Sequence, residues 1–278
     1  MKKPKLSTPV TAISEADARG EVAEIFADIR ETMALPMLTS IWRILVDIEG
    51  GLPRAWEATK SIYQSGQPQA SLLKLREQIT WPIPGTFRAS QLSCVGVDKD
   101  DLPAITAILD AYNRSNGLNL IALTALISEP EGSPANAPIP PAPEPWPQLS
   151  PLLSQDDIPA ETWQLLREIA FATRRENGGT QEPTIATIWR HLAHWPGLLA
   201  LIFTGLSSLI QSGQLQEAMV QVSEMAKAEG AHIAHLRPDV DAIPADARAY
   251  ITHYIAGVHR VVTMGHIVRV WLQTLRIS

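Results

Sequence analysis

The apolar residues of this chain are spaced as in α-helices. In the segment that begins at Asp100, five apolar side chains recur at intervals of one or three residues: Leu102, Ile105, Ile108, Leu109 and Tyr112. This spacing places them along one side of a helix. No stretch alternates between apolar and polar positions for long enough to predict a strand. The pattern therefore predicts an all-α protein.

Local signals indicate where several helices begin. In residues 100–103, and again in residues 241–244, an Asp precedes an apolar residue and a Pro. Asp favours the N-cap position and Pro favours the first turn, so each group predicts the start of a helix. Gly50, Gly51 and Gly197 predict breaks between short helices.

The sequence contains two copies of one helical unit. The 34 positions from Ala34 to Gln67 align without a gap on the positions 147 residues later, and twelve of them are identical. The matches include the Ile-Trp-Arg triplets at 41–43 and 188–190 and the four residues that end at Gln67 and Gln214. A match of this length at one offset predicts a duplicated structural unit.

A proline-rich segment separates the two copies. Nine prolines lie between Ser128 and Pro151. Each proline removes a backbone donor and disfavours the α conformation of the preceding residue, so the segment is predicted to be an extended strap. We therefore predict an N-terminal tail at 1–15, a first repeat at 16–128, a linker at 129–155 and a second repeat at 156–278.

Two repeats that each leave an apolar face uncovered are expected to pack together about a pseudo-twofold axis. Pockets commonly form along such a seam. Functional residues are then expected where the copies differ, because residues that both copies share, such as the Ile-Trp-Arg triplets, are more simply explained as scaffold.

Composition and charge exclude several classes of function. The formal net charge is −6, and the only cluster of basic residues is Lys2, Lys3 and Lys5, which argues against nucleic acid as the main partner. The single cysteine, Cys94, fits a reducing compartment and is predicted to be a small core residue. No phosphate-binding loop, nucleophile elbow or zinc motif occurs, so no cofactor is predicted.

The sequence gives no indication of export or of membrane insertion. Proline and polar residues follow the basic N-terminus where a signal peptide has an apolar stretch. The most apolar stretch, Gly197–Ile210, contains polar residues and is shorter than the roughly 20 residues that span a bilayer. A soluble cytoplasmic protein is therefore expected.

The order of the motifs resembles that of a known family. A helix preceded by Leu-Pro is followed by segments in a specific order, namely Gly50–Trp56, Trp81–Leu102, Ala111–Glu129, the proline-rich linker and Leu192–Leu199. From about Gly20 to Gln273, this order resembles the group I 2-haloacid dehalogenases. The resemblance implies an all-helical fold in which one chain of two tandem repeats forms an intramolecular pseudo-dimer.

The same resemblance implies a reaction that this chain is poorly equipped to perform. Members of the family use an aspartate to activate a water that displaces halide with inversion, and this aspartate lies in a Ser-Asp-aromatic motif seven residues before a Trp-Pro pair. The pair here is Trp195 and Pro196, so the three motif positions fall on Thr187, Ile188 and Trp189. An isoleucine has no lone pair with which to accept a proton, so it cannot serve as a general base.

The resemblance also implies where a ligand would bind. It places substrate-binding positions in both repeats, at Met37, Thr39, Ser40, Asn116, Asn119, Ala186, Thr187, Ile188 and Ile202. The family's aromatic pair falls on Met37 and Ser40, and its water-holding asparagine falls near Ile202. A pocket at these positions would be more apolar than the family's pocket.

Histidines and arginines provide the remaining candidate chemistry. All seven histidines lie in the second repeat. His191 follows position 188 by about one turn and is the candidate for a relocated catalytic base, although a hydrogen-bonded structural role is the simpler explanation. Arg43 and Arg190 occupy equivalent positions and could jointly hold a carboxylate, but their presence in both copies also fits a structural role. No metal site is predicted.

Three functional hypotheses remain open. The first is a dehalogenase-like protein that binds a small organic acid between its repeats, with hydrolysis lost or altered. The second is a non-catalytic helical binding or scaffold protein, acting as a homodimer or with a partner chain that supplies the missing carboxylate. The third is a true 2-haloacid dehalogenase with a relocated base.

Overall fold

The computed structural model describes residues 13–86, 88–172 and 184–275. Over these ranges the chain forms eleven α-helices and no β-strand, which confirms the all-α prediction. The helices are α1 Gly20–Met33, α2 Ser40–Ile44, α3 Gly51–Gln64, α4 Gln67–Gln78, α5 Ala89–Cys94, α6 Leu102–Ile127, α7 Ala160–Ala172, α8 Thr187–His191, α9 Pro196–Gln211, α10 Gln214–Ile233 and α11 Ala245–Gln273. Most of the predicted N-terminal tail lies outside the described residues.

The two repeats fold into a similar order of elements, although α5 has no equivalent helix among the described residues of the second repeat. Helices α2 and α8 begin and end at positions 147 residues apart, and a short 3₁₀ turn follows each of them, at Leu45–Asp47 and Leu192–His194. Gly66 and Gly213 are also equivalent, and both adopt a left-handed conformation, with φ of 72° and 78°. Glycine suits this conformation because it has no Cβ, so it marks the start of the next helix in both copies.

The predicted helix starts are only partly correct. Helix α6 begins at Leu102 with Pro103 in its first turn, as expected, but the Asp101 carboxylate accepts the backbone N–H of Asp98 instead of capping the helix. Helix α11 begins at Ala245, after the predicted start, and its N-cap residue is Pro244. Proline keeps the residue before it out of the α conformation, which delays the helix.

The two longest helices, α6 and α11, hold the molecule together because they run antiparallel and pack along each other. Arg269 contacts Asp110 at one end of the pair, and Arg248 donates to the carbonyl of Ile127 at the other. Asn113 lies between these points and donates to the carbonyl of Gly265 over 3.0 Å. Each long helix therefore extends from one repeat into the other.

The hydrophobic core consists of two clusters, and each cluster draws on both repeats. One contains α1, α3 and the C-terminal half of α6, together with the N-terminal half of α11. The other contains α7, α8, α9 and the C-terminal half of α11, together with the N-terminal half of α6. Because the long helices are exchanged in this way, the chain forms an intramolecular pseudo-dimer.

The proline-rich linker is extended and is attached to the surface of both repeats. In the first repeat, the Gln67 side chain makes two hydrogen bonds with the backbone of Ala137, and the Trp146 indole donates to the carbonyl of Ala34. At the second repeat, the backbone N–H of Ala135 donates to the carbonyl of His232. The linker can therefore form part of the wall of any cavity beneath it.

Two further sequence predictions can be compared with the structure. Cys94 is exposed, so its prediction as a core residue was wrong: it ends the short helix α5, in which Leu92 is the buried residue. No described helix is by itself long and apolar enough to cross a membrane, although α9 and the segment Gln214–Leu236 would pass that test as a pair bent by 85°.

Candidate functional site

A large cavity lies along the seam between the two repeats, and we call it the seam cavity. It has a volume of about 1650 Å³. Its walls come from the segment 36–44 in the first repeat, the segment 184–191 in the second, the middle of α11, and the linker from Trp146 to Ser154. This position, where two packed units meet beneath a strap, is a common one for a ligand site.

The structure brings together most of the residues that the sequence places at a site. Seven of them line the seam cavity: Met37, Thr39, Ser40, Asn116, Ala186, Thr187 and His191. Asn116 lies on α6, the other residues from the first repeat lie at or just before α2, and those from the second lie at or just before α8. Equivalent segments of the two repeats thus contribute to the same cavity, as expected for a pseudo-dimer.

His191 is held between a tyrosine and the linker. Its Nε2 lies 2.5 Å from the carbonyl oxygen of Ser150 and its Nδ1 lies 3.3 Å from the hydroxyl of Tyr112. The carbonyl can only accept, so we assign the ring proton to Nε2 and the accepting lone pair to Nδ1. Burial lowers the pKa of His191, so the ring is neutral near pH 7. Its basic nitrogen is occupied by Tyr112.

Tyrosines that were not singled out from the sequence form another part of the wall. Tyr112, Tyr250 and Tyr254 all line the cavity, and Tyr254 donates to the Asn116 side chain over 3.2 Å. Burial raises the pKa of each of the three phenols, so they are neutral hydrogen-bond donors. The spacing of four between Tyr250 and Tyr254 on one helix is a signal that could have identified this wall.

Arg43 and Arg190 also line the cavity, at equivalent positions of the two repeats. Arg190 donates to the carbonyl of Leu153 in the linker over 2.7 Å. The positive charges of both arginines lower the pKa of Tyr112, which burial raises, so both guanidinium groups lie near this phenol. Burial lowers the pKa of Arg190, and the charge of Arg43 lowers it further.

Glu15 carries the one carboxylate among the described residues of the cavity wall. Its Oε1 accepts the backbone N–H of Leu38 over 2.7 Å, and its Oε2 forms an ion pair with Arg30 at 3.1 Å. Both oxygens are therefore engaged by other groups. Within the described parts of the chain, no group of three or more His, Cys, Asp or Glu residues could hold a metal ion.

The curated relatives of this chain described below are 2-haloacid dehalogenases, and each is matched over part of its length. No family model matches the sequence. A configuration-inverting 2-haloacid dehalogenase of Alcaligenes xylosoxydans xylosoxydans is 25% identical over 203 residues, which is 68% of this chain and 66% of that protein. A second one, of Pseudomonas sp. (strain 113), is 26% identical over 116 residues, 41% of this chain and 37% of the relative. The matches thus span less than two thirds of each relative.

Solved structures of haloacid dehalogenases have a similar fold over almost the full length of this chain. A D-2-haloacid dehalogenase mutant superposes with a TM-score of 0.71 at 15% identity and covers 99% of both chains. The complex of D-2-haloacid dehalogenase with L-LA gives a TM-score of 0.66 at 15% identity and covers 99% of this chain and 97% of the other. The chain is therefore similar to 2-haloacid dehalogenases, in sequence over part of its length and in fold over almost all of it, in agreement with the resemblance of its motifs.

Three of the substrate-binding positions implied by this family lie outside the wall of the seam cavity. Ile188 and Ile202 are buried in the second hydrophobic cluster, with 1% and 0% of their surface exposed. Ile188 packs near Gly265, at the point where α6 and α11 cross. Ile188, at which the motif spacing predicts the family's base, is therefore part of the hydrophobic core.

Asn119 is the third of these positions, and it belongs to a buried hydrogen-bond network. Its carbonyl oxygen accepts from the Trp42 indole at 3.2 Å and from the Tyr63 hydroxyl at 2.9 Å, and its amide donates to Thr39 over 2.8 Å. Ser115 also donates to Thr39, over 3.3 Å. Asn119 therefore joins α2, α3 and α6, while Thr39 connects this network to the cavity.

Proposed function

We propose that this chain binds an organic acid in the seam cavity and does not hydrolyse 2-haloacids by the aspartate mechanism of its family. One observation carries the proposal: Ile188, at which the sequence resemblance predicts the family's general base, is buried in the core with 1% of its surface exposed. An alkyl side chain in the core can neither accept a proton nor reach a water molecule in the cavity.

Glu15, the one carboxylate among the described residues of the cavity wall, does not replace the missing general base. A substitute base must lie within hydrogen-bond distance of the attacking water and must be able to turn towards it. Glu15 is held in place on both sides, because one oxygen accepts from the Leu38 backbone and the other pairs with Arg30. Organic-acid binding needs no such base, since the guanidinium groups of Arg43 and Arg190 suit a carboxylate.

A second candidate function is haloacid hydrolysis with His191 as the base. The favourable observation is that His191 lines the cavity and is neutral near pH 7, the form that a general base requires. The unfavourable one is that Nδ1 already accepts from Tyr112 and Nε2 donates to Ser150. Activation of a water would require the Tyr112 contact to open.

Halide release separates these two functions. Both enantiomers of 2-chloropropionate are incubated with the wild-type protein and with His191→Ala, at several pH values, and free halide is measured. His194→Ala is the matched control, because His194 also donates to a linker carbonyl, that of Pro151. We expect no release above background from any variant, together with saturable binding of the acids measured by calorimetry.

Two other results would change the conclusion. Release by the wild type and by His194→Ala, but not by folded His191→Ala, would establish a dehalogenase with a relocated base. Absence of both release and binding would favour the alternative of a helical scaffold protein that acts with a second copy or a partner chain.

A further inference from the structure

The seam cavity contains two arginines that form no ion pair with a described residue, since Glu15, the one described carboxylate of its wall, pairs with Arg30. Within the described parts of the chain, neither Arg43 nor Arg190 forms an ion pair, and Arg43 makes no side-chain hydrogen bond. The Nε atoms of both residues are buried and lack an acceptor. Buried polar groups nearly always have a partner, so two such atoms in one cavity require an explanation.

The two arginines line the same cavity from equivalent positions of the two repeats. They are the third residues of the equivalent Ile-Trp-Arg triplets, whose Ile and Trp side chains are buried at both sites. This anchoring directs one guanidinium from each repeat towards the same cavity and towards Tyr112. Like charges repel when they are partly removed from water, so the arrangement without a ligand is unfavourable.

An anion between the two groups would remove this cost. A guanidinium offers donors in a planar fork that matches the two oxygens of a carboxylate, and such charged hydrogen bonds are about twice as strong as neutral ones. We propose that Arg43 and Arg190 together bind one carboxylate group of an organic acid in the seam cavity, and that the acid carries an aromatic body. This inference rests on the proposed function and names the group that recognises its ligand.

The volume of the cavity and the residues that line it favour a ligand with an aromatic ring. A volume of about 1650 Å³ exceeds the roughly 300 to 1,000 Å³ of most small-molecule pockets, so a short haloacid would fill little of it. Tyr250, Tyr254 and Trp146 line the wall, with Met37 and Met264. Aromatic rings and methionines pack well against another aromatic ring.

The test uses phenylacetate as the probe, with phenylacetamide, acetate and sulfate for comparison. Binding to the full-length protein is measured by calorimetry for the wild type, Arg43→Gln and Arg190→Gln. Arg54→Gln is the matched control, because Arg54 lies in the first repeat and forms exposed ion pairs with Glu57 and Asp241. The melting temperature of each variant is measured without ligand.

We expect phenylacetate to bind the wild type and Arg54→Gln equally, and to bind each cavity variant about tenfold to a hundredfold more weakly. Phenylacetamide lacks the charge and acetate lacks the ring, so each should bind at least about tenfold more weakly than phenylacetate. Without ligand, Arg43→Gln should melt at or above the wild-type temperature, because one of two repelling charges is gone. Arg190→Gln also loses the hydrogen bond to the Leu153 carbonyl, so it should melt below Arg43→Gln.

Several outcomes would overturn the inference while leaving the proposed function intact. Equal binding of phenylacetate by the wild type and both cavity variants would show that an acid binds without the arginine pair. A lower melting temperature with unchanged binding would make both arginines structural. Preference for sulfate over phenylacetate would replace the carboxylate by another anion. If no acid binds the wild type, the proposed function itself fails.

Discussion

Two asparagines of α6 have different roles, because one faces the seam cavity and the other lies in the core. Asn116 and Asn119 lie three positions apart on α6, and the family resemblance assigns both to the substrate site. Asn116 lines the cavity and accepts one hydrogen bond, from Tyr254, whereas Asn119 joins three helices from inside the core. Burial and the number of partners separate a ligand-facing amide from a structural one.

This difference predicts unequal effects on stability. Asn119→Leu leaves the Trp42 indole and the Tyr63 hydroxyl without their acceptor in the core, so we expect the free energy of unfolding to fall by about 2 to 4 kcal/mol. Asn116→Leu loses one hydrogen bond at the cavity wall and should cost about 1 kcal/mol or less. Urea denaturation measures both values, and equal losses would contradict the structural role of Asn119.

His266 makes the stability of the folded protein depend on pH. Burial, followed by the charges of Arg76 and Arg269, lowers the pKa of His266 to about 4. In the unfolded chain the histidine takes up a proton near pH 6.5, so the unfolded state binds more protons than the folded state between pH 6.5 and 4. The stability that depends on neutral His266 is therefore complete above pH 6.5 and is lost as the pH falls.

The expected loss from this histidine between pH 7 and pH 5 is about 2 kcal/mol. Urea denaturation at the two pH values should show a smaller loss for His266→Leu than for the wild type. His253→Leu, at an exposed position, is the control and should keep the wild-type difference. An unchanged pH dependence in His266→Leu would show that other groups cause the acid sensitivity.

At the scale of elements, glycines determine how closely segments can approach. Gly197, in the first turn of α9, lies against the backbone of Val95 in the loop after α5, and a Cβ at this position would overlap the Val95 carbonyl oxygen. Gly257, within α11, has open space around it. The sequence predicts a helix break at Gly197, but the structure adds a close contact between the two repeats.

Substitution of these two glycines by alanine should therefore have opposite effects. Gly197→Ala must push the Val95 backbone away, and we expect a loss of about 1 to 3 kcal/mol. Gly257→Ala should stabilise the protein by up to about 1 kcal/mol, since alanine favours the helix and nothing obstructs its methyl group. Thermal unfolding of both variants tests the signs, and a neutral Gly197→Ala would mean that the contact relaxes freely.

At the scale of the whole molecule, the exchange of α6 and α11 makes the repeats depend on each other. The first repeat alone would lose the part of its hydrophobic cluster that α10 and α11 provide. The second repeat alone would lose the N-terminal half of α6 from its own cluster. Large apolar surfaces would then be exposed, and a small domain rarely tolerates such a loss.

Fragments test this dependence. Residues 13–140 and 141–275, expressed separately, should show reduced helicity and no cooperative thermal transition by circular dichroism. Co-expressed, they should form a one-to-one complex with a cooperative transition, because the cut lies in the extended linker and leaves every helix whole. A fragment that unfolds cooperatively by itself would mean that one cluster is sufficient for folding.

The sequence by itself determined the helical class, the duplication and the extended linker, because each depends on spacing or composition along the chain. Most of the site residues that it indicated also line the cavity. Only the tertiary structure decided that Asn119 and Ile188 lie in the core while Arg43, Tyr112 and Tyr254 face the cavity. The physical reason is that the surroundings of a side chain depend on which helix packs against it, and here the decisive neighbours, α6 and α11, belong to different repeats.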